Sequence, residues 1–136
     1  MITFDQFYSL VKEKTNKTYE ELQNYFNSFN VDSKVEEYKK EYKVELWNNT
    51  PINGVSPDIV RQRNNMSDNA LAYLIYKGNQ LLYFQPHGIN GEKITSDNWL
   101  ELANKHLETI IDSYILSDLI AGLDIDLRMQ ITSLHI

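Results

Sequence analysis

The sequence predicts an α+β fold: N-terminal helices, a central antiparallel β-hairpin, a long helix and a closing C-terminal strand in the same small sheet. The prediction rests on helical spacing near the start of the chain, two apolar runs around Gly78-Asn79, and strict alternation after Gly122. The 136 residues suit a single α+β domain. Its predicted segments are 1–47, mainly helical; 48–69, loop-rich with a short helix; and 70–136, hairpin, helix and strand.

Two capping boxes begin the predicted N-terminal helices. Thr3 with Gln6, and Thr18 with Glu21, have the spacing at which two side chains cap each other's backbone N–H groups. Apolar residues then recur at three- and four-residue spacing, which predicts one buried face on each helix. These residues are Phe4, Phe7, Tyr8 and Val11 in the first helix, and Tyr19, Leu22, Phe26 and Phe29 in the second.

A third element begins with the same spacing at Ser33 and Glu36, but its end is ambiguous. Helical spacing links Val35, Tyr38 and Tyr42, whereas strand alternation links Tyr42, Val44 and Leu46. Residues 41–47 are therefore compatible with either helix or strand. The segment NNTPINGVSP that follows is typical of loops, and Ser56-Pro57 predicts the start of one short helix.

The stretch LAYLIYKGNQLLYFQPHG, residues 71–88, predicts a β-hairpin. Gly78-Asn79 suits a two-residue turn, because glycine readily adopts the positive φ angle that such turns require. A regular register pairs Lys77 with Gln80, Ile75 with Leu82 and Tyr73 with Phe84 on one face, and Tyr76 with Leu81 and Leu74 with Tyr83 on the other. Since both faces are apolar, we expect helices to cover both sides.

The longest predicted helix follows Thr95 and Ser96 and ends near Gly122. Its predicted buried stripe is Leu100, Ala103, Leu107, Ile110 and Tyr114, and its solvated face is Glu101, Lys105, Glu108 and Asp112. The segment LDIDLRMQI then alternates apolar and polar residues, which predicts a half-buried closing strand. That strand could lie antiparallel beside the first hairpin strand or parallel beside the second, and we favour the first arrangement.

Composition excludes several classes of protein. The chain has no cysteine, which rules out thiol nucleophiles and cysteine-ligated metal sites. Its longest apolar run, residues 71–76, is far shorter than the roughly 18 residues of a membrane-spanning helix. The N-terminal residues do not have the basic and apolar segments of a secretory signal. We therefore expect a soluble, cytoplasmic protein without a membrane partner.

The net charge of −6 is unevenly distributed along the chain. Residues 96–136 hold seven acidic and two basic residues. A negative field of this kind repels phosphate backbones, which disfavours nucleic acid as a partner. Asn, Ile, Lys and Tyr are abundant, as AT-rich codons would produce, and this indicates a low-GC bacterium or its phage.

His87 is the one candidate for a catalytic side chain. Pro86 is expected to end a strand, which leaves His87 on a loop, where catalytic residues are common. No carboxylate or nucleophile stands at a recognisable spacing from it, so the favoured interpretation is a solvent-facing histidine. His106 lies at the margin between the apolar and polar faces of its helix and is predicted to be inert.

Two further pairs are candidates for ligand binding. Asp124 and Asp126 would point from one face of the closing strand, where their oxygens could hold a divalent cation, although any solvated strand face gives this pattern. Arg61 and Arg63 could bind a phosphate or carboxylate, but residues two apart on a helix diverge, so one shared ligand is not expected. A role without function is favoured for the pair, and among functional roles an interface is favoured over catalysis. No cofactor is predicted.

The aromatic residues of the second half admit three interpretations. Tyr73, Tyr76 and Tyr83, with Trp99 and Tyr114, could form a sheet–helix core, a protein interface or the lining of a pocket. The core interpretation is favoured, and the interface interpretation retains Tyr76 and Tyr83 as binding residues.

The leading functional hypothesis is a non-enzymatic protein-binding module, an accessory, inhibitory or assembly protein of a low-GC bacterium or its phage. Glu101, Glu108 and Asp112 would steer a partner with a basic surface. The alternative is a small-molecule-binding domain or simple enzyme with an aromatic pocket near His87. Self-association into a homo-oligomer through the closing strand is compatible with the first hypothesis.

Overall fold

The computed structural model describes the backbone of residues 1–134 and the side chains of residues 1–123. The helices are α1 (Phe4–Val11), α2 (Tyr19–Phe29), α3 (Val31–Lys39), α4 (Pro57–Arg63) and α5 (Trp99–Leu134), and the strands are β1 (Tyr42–Leu46), β2 (Tyr73–Lys77) and β3 (Gln80–Gln85). The three strands form one antiparallel sheet in the order β1-β2-β3, which confirms the predicted α+β class.

The chain divides into two compact units. The helical unit consists of Met1–Tyr38 and Thr109–Ile136, and the sheet unit is Lys39–Glu108. The helical unit therefore contains α1, α2, nearly all of α3 and the later part of α5, while the sheet unit contains the sheet, α4 and the first turns of α5. The single domain predicted for residues 1–136 stays a prediction.

Helices α1 and α2 begin at the predicted capping boxes. The Thr3 hydroxyl accepts the Gln6 N–H at 3.2 Å, and the Gln6 side chain accepts the Thr3 N–H at 2.9 Å. Thr18 and Glu21 make the same reciprocal pair at 3.1 and 3.0 Å. These bonds satisfy backbone donors that the first turn of a helix would otherwise leave without a partner.

Helix α3 begins at Val31, before the capping box that the sequence predicts at Ser33. Asn30 takes the left-handed conformation, with φ of 59°, and ends α2. Its side-chain oxygen then accepts the Ser33 N–H at 3.3 Å. Because asparagine tolerates the left-handed region, one residue both ends α2 and caps α3, and the predicted box at Ser33 is wrong.

Strand β1, which joins the two hairpin strands in the sheet, lies within the ambiguous residues 41–47. β1 pairs antiparallel with β2, with Tyr42 opposite Lys77 and Leu46 opposite Tyr73. The Trp47 N–H extends the ladder by donating to the Ala72 carbonyl at 2.9 Å. β1 therefore occupies the position beside the first hairpin strand that the sequence assigned to the closing strand.

The predicted closing strand is not found, because α5 continues through Gly122 to Leu134. When every second residue is apolar, every fourth residue is apolar too, and residues four apart lie on one face of a helix. Ile115, Leu119 and Leu123 are buried at that four-residue spacing, and Leu127 continues it in the sequence. The residues of this segment are also ordinary helix formers. Self-association through a closing strand therefore loses its basis.

The buried face of α5 is rotated relative to the predicted stripe. Ala103 and Leu107 are buried as predicted, but Leu100 is 50% exposed and Tyr114 is 43% exposed. The residues that replace them in the interior are Leu102, His106, Ile111, Ile115 and Leu119. The burial of His106 was not predicted, because a histidine can be buried when it has a hydrogen-bond partner. The apolar spacing of the sequence does not reveal that partner.

The hairpin turn is confirmed, with Gly78 at φ of 57°, but the register changes at a β-bulge. Lys77 pairs with Gln80 and Tyr76 with Leu81, as predicted. Beyond the irregularity the partners are Ile75 with Tyr83, Leu74 with Phe84 and Tyr73 with Gln85. Leu82 is thus the extra residue, and one extra residue moves every later side chain of β3 to the opposite face.

The bulge sorts the aromatic residues between the two faces of the sheet. One face packs on a cluster of Trp47, Val60, Ala72 and Leu74, with Tyr76, Leu81 and Phe84 against it. Phe84, predicted to lie opposite Tyr73, instead meets Trp47 edge to face at a centroid distance of 5.1 Å. The other face carries Tyr73, Ile75 and Tyr83, so both faces are covered, as the apolar hairpin requires.

Gly122 does not end α5, and its position in the helical unit explains the glycine. The Tyr25 hydroxyl donates to the Leu119 carbonyl at 2.5 Å, next to Gly122. A Cβ added at Gly122 would lie 2.5 Å from the Tyr25 oxygen. Glycine therefore allows a side chain of α2 to approach the backbone of α5.

Among the described residues, none of the helices combines the length and apolar character needed to cross a membrane.

The approach of Tyr25 to Gly122 predicts that the effect of Gly122→Ala on stability changes sign when the Tyr25 hydroxyl is removed. Gly122→Ala should lower the free energy of unfolding by about 1 kcal/mol, because the new methyl group displaces the Tyr25 hydroxyl and its hydrogen bond. In a Tyr25→Phe background the same substitution should raise it by up to about 1 kcal/mol, since alanine favours helix over glycine. Urea unfolding of the four proteins measures the coupling, and additive effects would contradict this account.

Candidate functional site

A buried tyrosine–histidine pair connects β2 to α5 within the sheet unit. Tyr73 is 0% exposed and His106 is 7% exposed. The Tyr73 hydroxyl oxygen lies 2.8 Å from His106 Nδ1, so each group satisfies the polar atom of the other. His106 is predicted from the sequence to be inert, yet it is the histidine that anchors the helix to the sheet.

Burial shifts both groups of this pair towards their neutral forms. Desolvation raises the pKa of Tyr73 to about 12, with a further upward contribution from the charge of Glu92. Desolvation also lowers the pKa of His106 below its ordinary 6.5. At neutral pH the pair is therefore an uncharged hydrogen bond inside the protein, which is a structural arrangement rather than an acid–base couple facing solvent.

Tyr83 joins this pair because of the β-bulge. Its ring lies 4.9 Å from the His106 ring, centroid to centroid, and 41% of the residue is exposed. The regular register would have placed Tyr83 on the opposite face, beside Leu74. The predicted aromatic group is thus divided by the sheet, since Tyr76 packs with the Trp47 cluster on the other side.

His87 lies on the loop after β3, as predicted, and is exposed. Its Nδ1 is 3.0 Å from the Gly88 carbonyl oxygen. In the same loop the Glu92 carboxylate accepts the Asn90 N–H at 2.8 Å. Hydrogen bonds from the Glu92 and Asn90 N–H groups lower the pKa of Glu92, and the positive charge of Lys105 lowers it further. The histidine that contacts the hairpin tyrosines is His106, so the geometry gives the hypothesis of a pocket near His87 no added support.

Arg61 is buried, at 8% exposed, and hydrogen-bonds to uncharged acceptors. Its guanidinium donates to Asn49 Oδ1 at 2.6 and 3.1 Å, to the Ser67 carbonyl at 2.6 Å and to the Ala70 carbonyl at 2.8 Å. It also lies 4.8 Å from the centroid of the Trp47 ring. One planar side chain thereby holds two loops against α4.

The structure does not bring the two predicted arginines together. Arg63 is exposed on α4, while the neighbouring Arg61 points into the protein. This divergence is what a two-residue separation on a helix produces. As an interface residue, Arg63 stays a prediction, and the guanidinium of Arg61 is engaged internally.

The three acidic residues predicted to steer a partner fall in different surroundings. Glu101 and Glu108 are exposed and belong to the sheet unit. Asp112 belongs to the helical unit, and its side chain is 25% exposed, with Oδ2 lying 3.5 Å from the Met1 amino nitrogen. Their role in binding stays a prediction.

The net charge of the protein lies in the helical unit. That unit contains eleven acidic and five basic residues, a net of −6. The sheet unit contains eight of each and is neutral. Counted along the sequence, the acidic excess lies in residues 96–136. In the fold, residues 109–136 of that segment belong to the same unit as the acidic α1–α3 region.

A group of three residues in the helical unit was not predicted from the sequence, and we call it the tyrosine–aspartate cluster: Tyr38, Tyr114 and Asp118. The Tyr38 and Tyr114 rings stack at a centroid distance of 5.7 Å with planes 17° apart. The Tyr38 hydroxyl donates to Asp118 Oδ2 at 2.5 Å, and Tyr114 is 43% exposed. The four-residue spacing of Tyr114 and Asp118 was visible in the sequence, but their alignment with Tyr38 comes from the packing of α3 on α5.

No metal site emerges from the described part of the chain. No three His, Asp or Glu side chains there are close enough together to hold an ion. The candidate pair Asp124 and Asp126 lies outside the residues whose side chains are described.

Comparisons of the chain with protein-family models, with curated proteins and with solved structures give no match.

Replacing Arg61 tests whether it is structural. Arg61→Lys should lower the free energy of unfolding by about 2–4 kcal/mol, because a single ammonium group cannot reach Asn49, Ser67 and Ala70 together and leaves buried acceptors without donors. The matched control Arg63→Lys should change it by less than about 0.5 kcal/mol, since Arg63 is exposed. Urea unfolding followed by circular dichroism measures both, and equal values would contradict the structural role.

The lowered pKa of His106 predicts how the stability of the protein depends on pH. Its pKa is lowered on folding, so below about pH 6.5 the unfolded chain binds a proton that the folded protein does not. The free energy of unfolding should therefore fall as pH falls from about 6.5 through the folded pKa, and then level off. His106→Asn keeps a neutral partner for Tyr73 and should show a smaller fall between pH 7.5 and 5.0, measured as urea midpoints. Parallel curves for the two proteins would rule out His106 as the source.

Proposed function

We propose that this chain is a non-enzymatic protein-binding module that recognises a basic protein surface through its helical unit. The observation that carries the proposal is the charge division: the helical unit has a net charge of −6, and the sheet unit is neutral. A net negative charge on one unit accelerates encounters with a positive partner and orients it.

The sheet unit has a different character, which supports assigning recognition to the helical unit. Its buried Arg61 and His106 side chains bond within the unit, Arg61 to two loops and His106 to Tyr73. Groups used in this way stabilise a fold and leave little polar chemistry for a substrate. We accordingly place the binding surface of the proposed module on α1–α3 and the described later part of α5.

The module would act as an accessory, inhibitory or assembly protein in the cytoplasm of a low-GC bacterium or in its phage. The support for this part of the proposal is the composition and the acidic helical unit, since small acidic proteins can occupy the basic surfaces of other proteins.

The test is a selection of peptides on the immobilised full-length chain from a random displayed library. We expect the selected peptides to carry net positive charge, and we expect their affinity to fall as salt rises, because screening weakens attraction between exposed charges. Selected peptides without a charge bias, or with affinity independent of salt, would refute recognition of a basic surface.

Two triple variants locate the interaction. Glu13→Gln, Glu20→Gln and Asp32→Asn remove three exposed carboxylates of the helical unit, and should weaken the selected peptides about fivefold. Glu41→Gln, Asp68→Asn and Asp97→Asn remove the same charge from exposed positions of the sheet unit, and should have less than about a twofold effect. Equal losses in both variants would mean that total charge, and not the helical unit, determines binding.

A further inference from the structure

We propose that the tyrosine–aspartate cluster is the specific contact point of the module and binds an arginine side chain of the partner. This inference rests on the proposed function, since it assumes a basic protein partner, and it goes further by naming the residue type recognised and the three residues that recognise it: Tyr38, Tyr114 and Asp118.

The first support is the exposed aromatic surface. Tyr114 lies on α5 with 43% of its surface exposed, and its ring stacks on Tyr38 at 5.7 Å. The stacking fixes the orientation of the Tyr114 ring, so little side-chain freedom is lost when a ligand covers it. A tyrosine face attracts cations, and a planar guanidinium can lie flat on it.

The second support is the position of the carboxylate. Tyr38 donates its hydroxyl hydrogen to Asp118 Oδ2 at 2.5 Å, which holds the carboxylate beside the stacked rings. We assign the other carboxylate oxygen, Oδ1, to the guanidinium of the partner. A flat cation-binding ring and an adjacent oriented carboxylate together match the two recognition features of arginine, its plane and its N–H groups.

The third support is charge complementarity. The helical unit that carries the cluster has the whole net charge of −6. A cationic partner is therefore drawn to the unit as a whole, and the cluster adds the short-range contact that distinguishes arginine from lysine. Lysine has a compact ammonium group that is more strongly hydrated and cannot stack as a plane.

The experiment is an NMR titration of the isotope-labelled full-length chain with two peptides of equal length and charge. One peptide has three arginines separated by glycines, and the other has three lysines at the same places. We expect the arginine peptide to bind more tightly, with shifts concentrated at the Tyr114 ring, the Tyr38 ring and the Asp118 backbone amide.

Four variants test the assignment of roles. Tyr114→Ala and Asp118→Asn should each weaken the arginine peptide about three- to fivefold, while the lysine peptide loses less than twofold. Tyr38→Phe keeps the stacked ring but releases the carboxylate, and should give a smaller loss. The matched control is Tyr19→Ala, because Tyr19 is 52% exposed in the same unit but packs on the uncharged rings of Phe4 and Tyr8. Circular dichroism verifies that each variant is folded.

The outcomes separate this inference from the proposed function. Equal binding of both peptides, or arginine binding that Tyr114→Ala and Asp118→Asn leave unchanged, would overturn the arginine site while leaving a charge-steered module in place. If neither peptide binds at low salt, both the arginine site and the proposed function are overturned. Arginine-selective binding that is lost in both cluster variants and retained in Tyr19→Ala would support both.

Discussion

The sheet unit depends on one constraint, which is that β2 is apolar on both faces. Tyr73, Leu74 and Ile75 are 0%, 3% and 0% exposed, so the strand needs hydrogen-bonding neighbours at both edges and packing on both sides. β1 and β3 supply the edges. The Trp47 cluster covers one face, and α5, through His106, covers the other. Within the ambiguous residues 41–47, Tyr42–Leu46 form a strand because β2 requires a second partner.

The same constraint explains why the polar groups of the sheet unit are used internally. The Tyr73 hydroxyl points into the interior, where it needs a partner, and His106 satisfies it while remaining neutral. On the opposite side, the Arg61 guanidinium lies over Trp47 and donates to the carbonyl groups of the loop that precedes β2. The perturbed pKa values and the buried charge of this unit are therefore consequences of folding. They do not by themselves indicate catalysis, although perturbed groups often mark functional sites.

The helical unit presents the contrasting case, since its distinctive features lie at the surface. The unit has a net charge of −6, and an exposed aromatic stack holds a carboxylate. Neither feature is required for burial of its core, which Phe7, Leu22, Ile115 and Leu119 occupy. Surface features that the core does not explain are better candidates for recognition than buried ones that it does. The proposed binding function therefore rests on the surface of the helical unit.

The sequence by itself determined the α+β class, the helix starts at Thr3 and Thr18 and the hairpin turn at Gly78, because capping and turn geometry depend on residues a few positions apart. It also located the exposed loop of His87. Only the tertiary structure decided the β-bulge at Leu82, the burial of His106, the strand β1 and the continuation of α5 through Gly122. Three of these involve a partner distant in the chain: His106 contacts Tyr73, β1 pairs with β2, and Gly122 lies against Tyr25. Local patterns are compatible with more than one arrangement, and long-range packing selects among them.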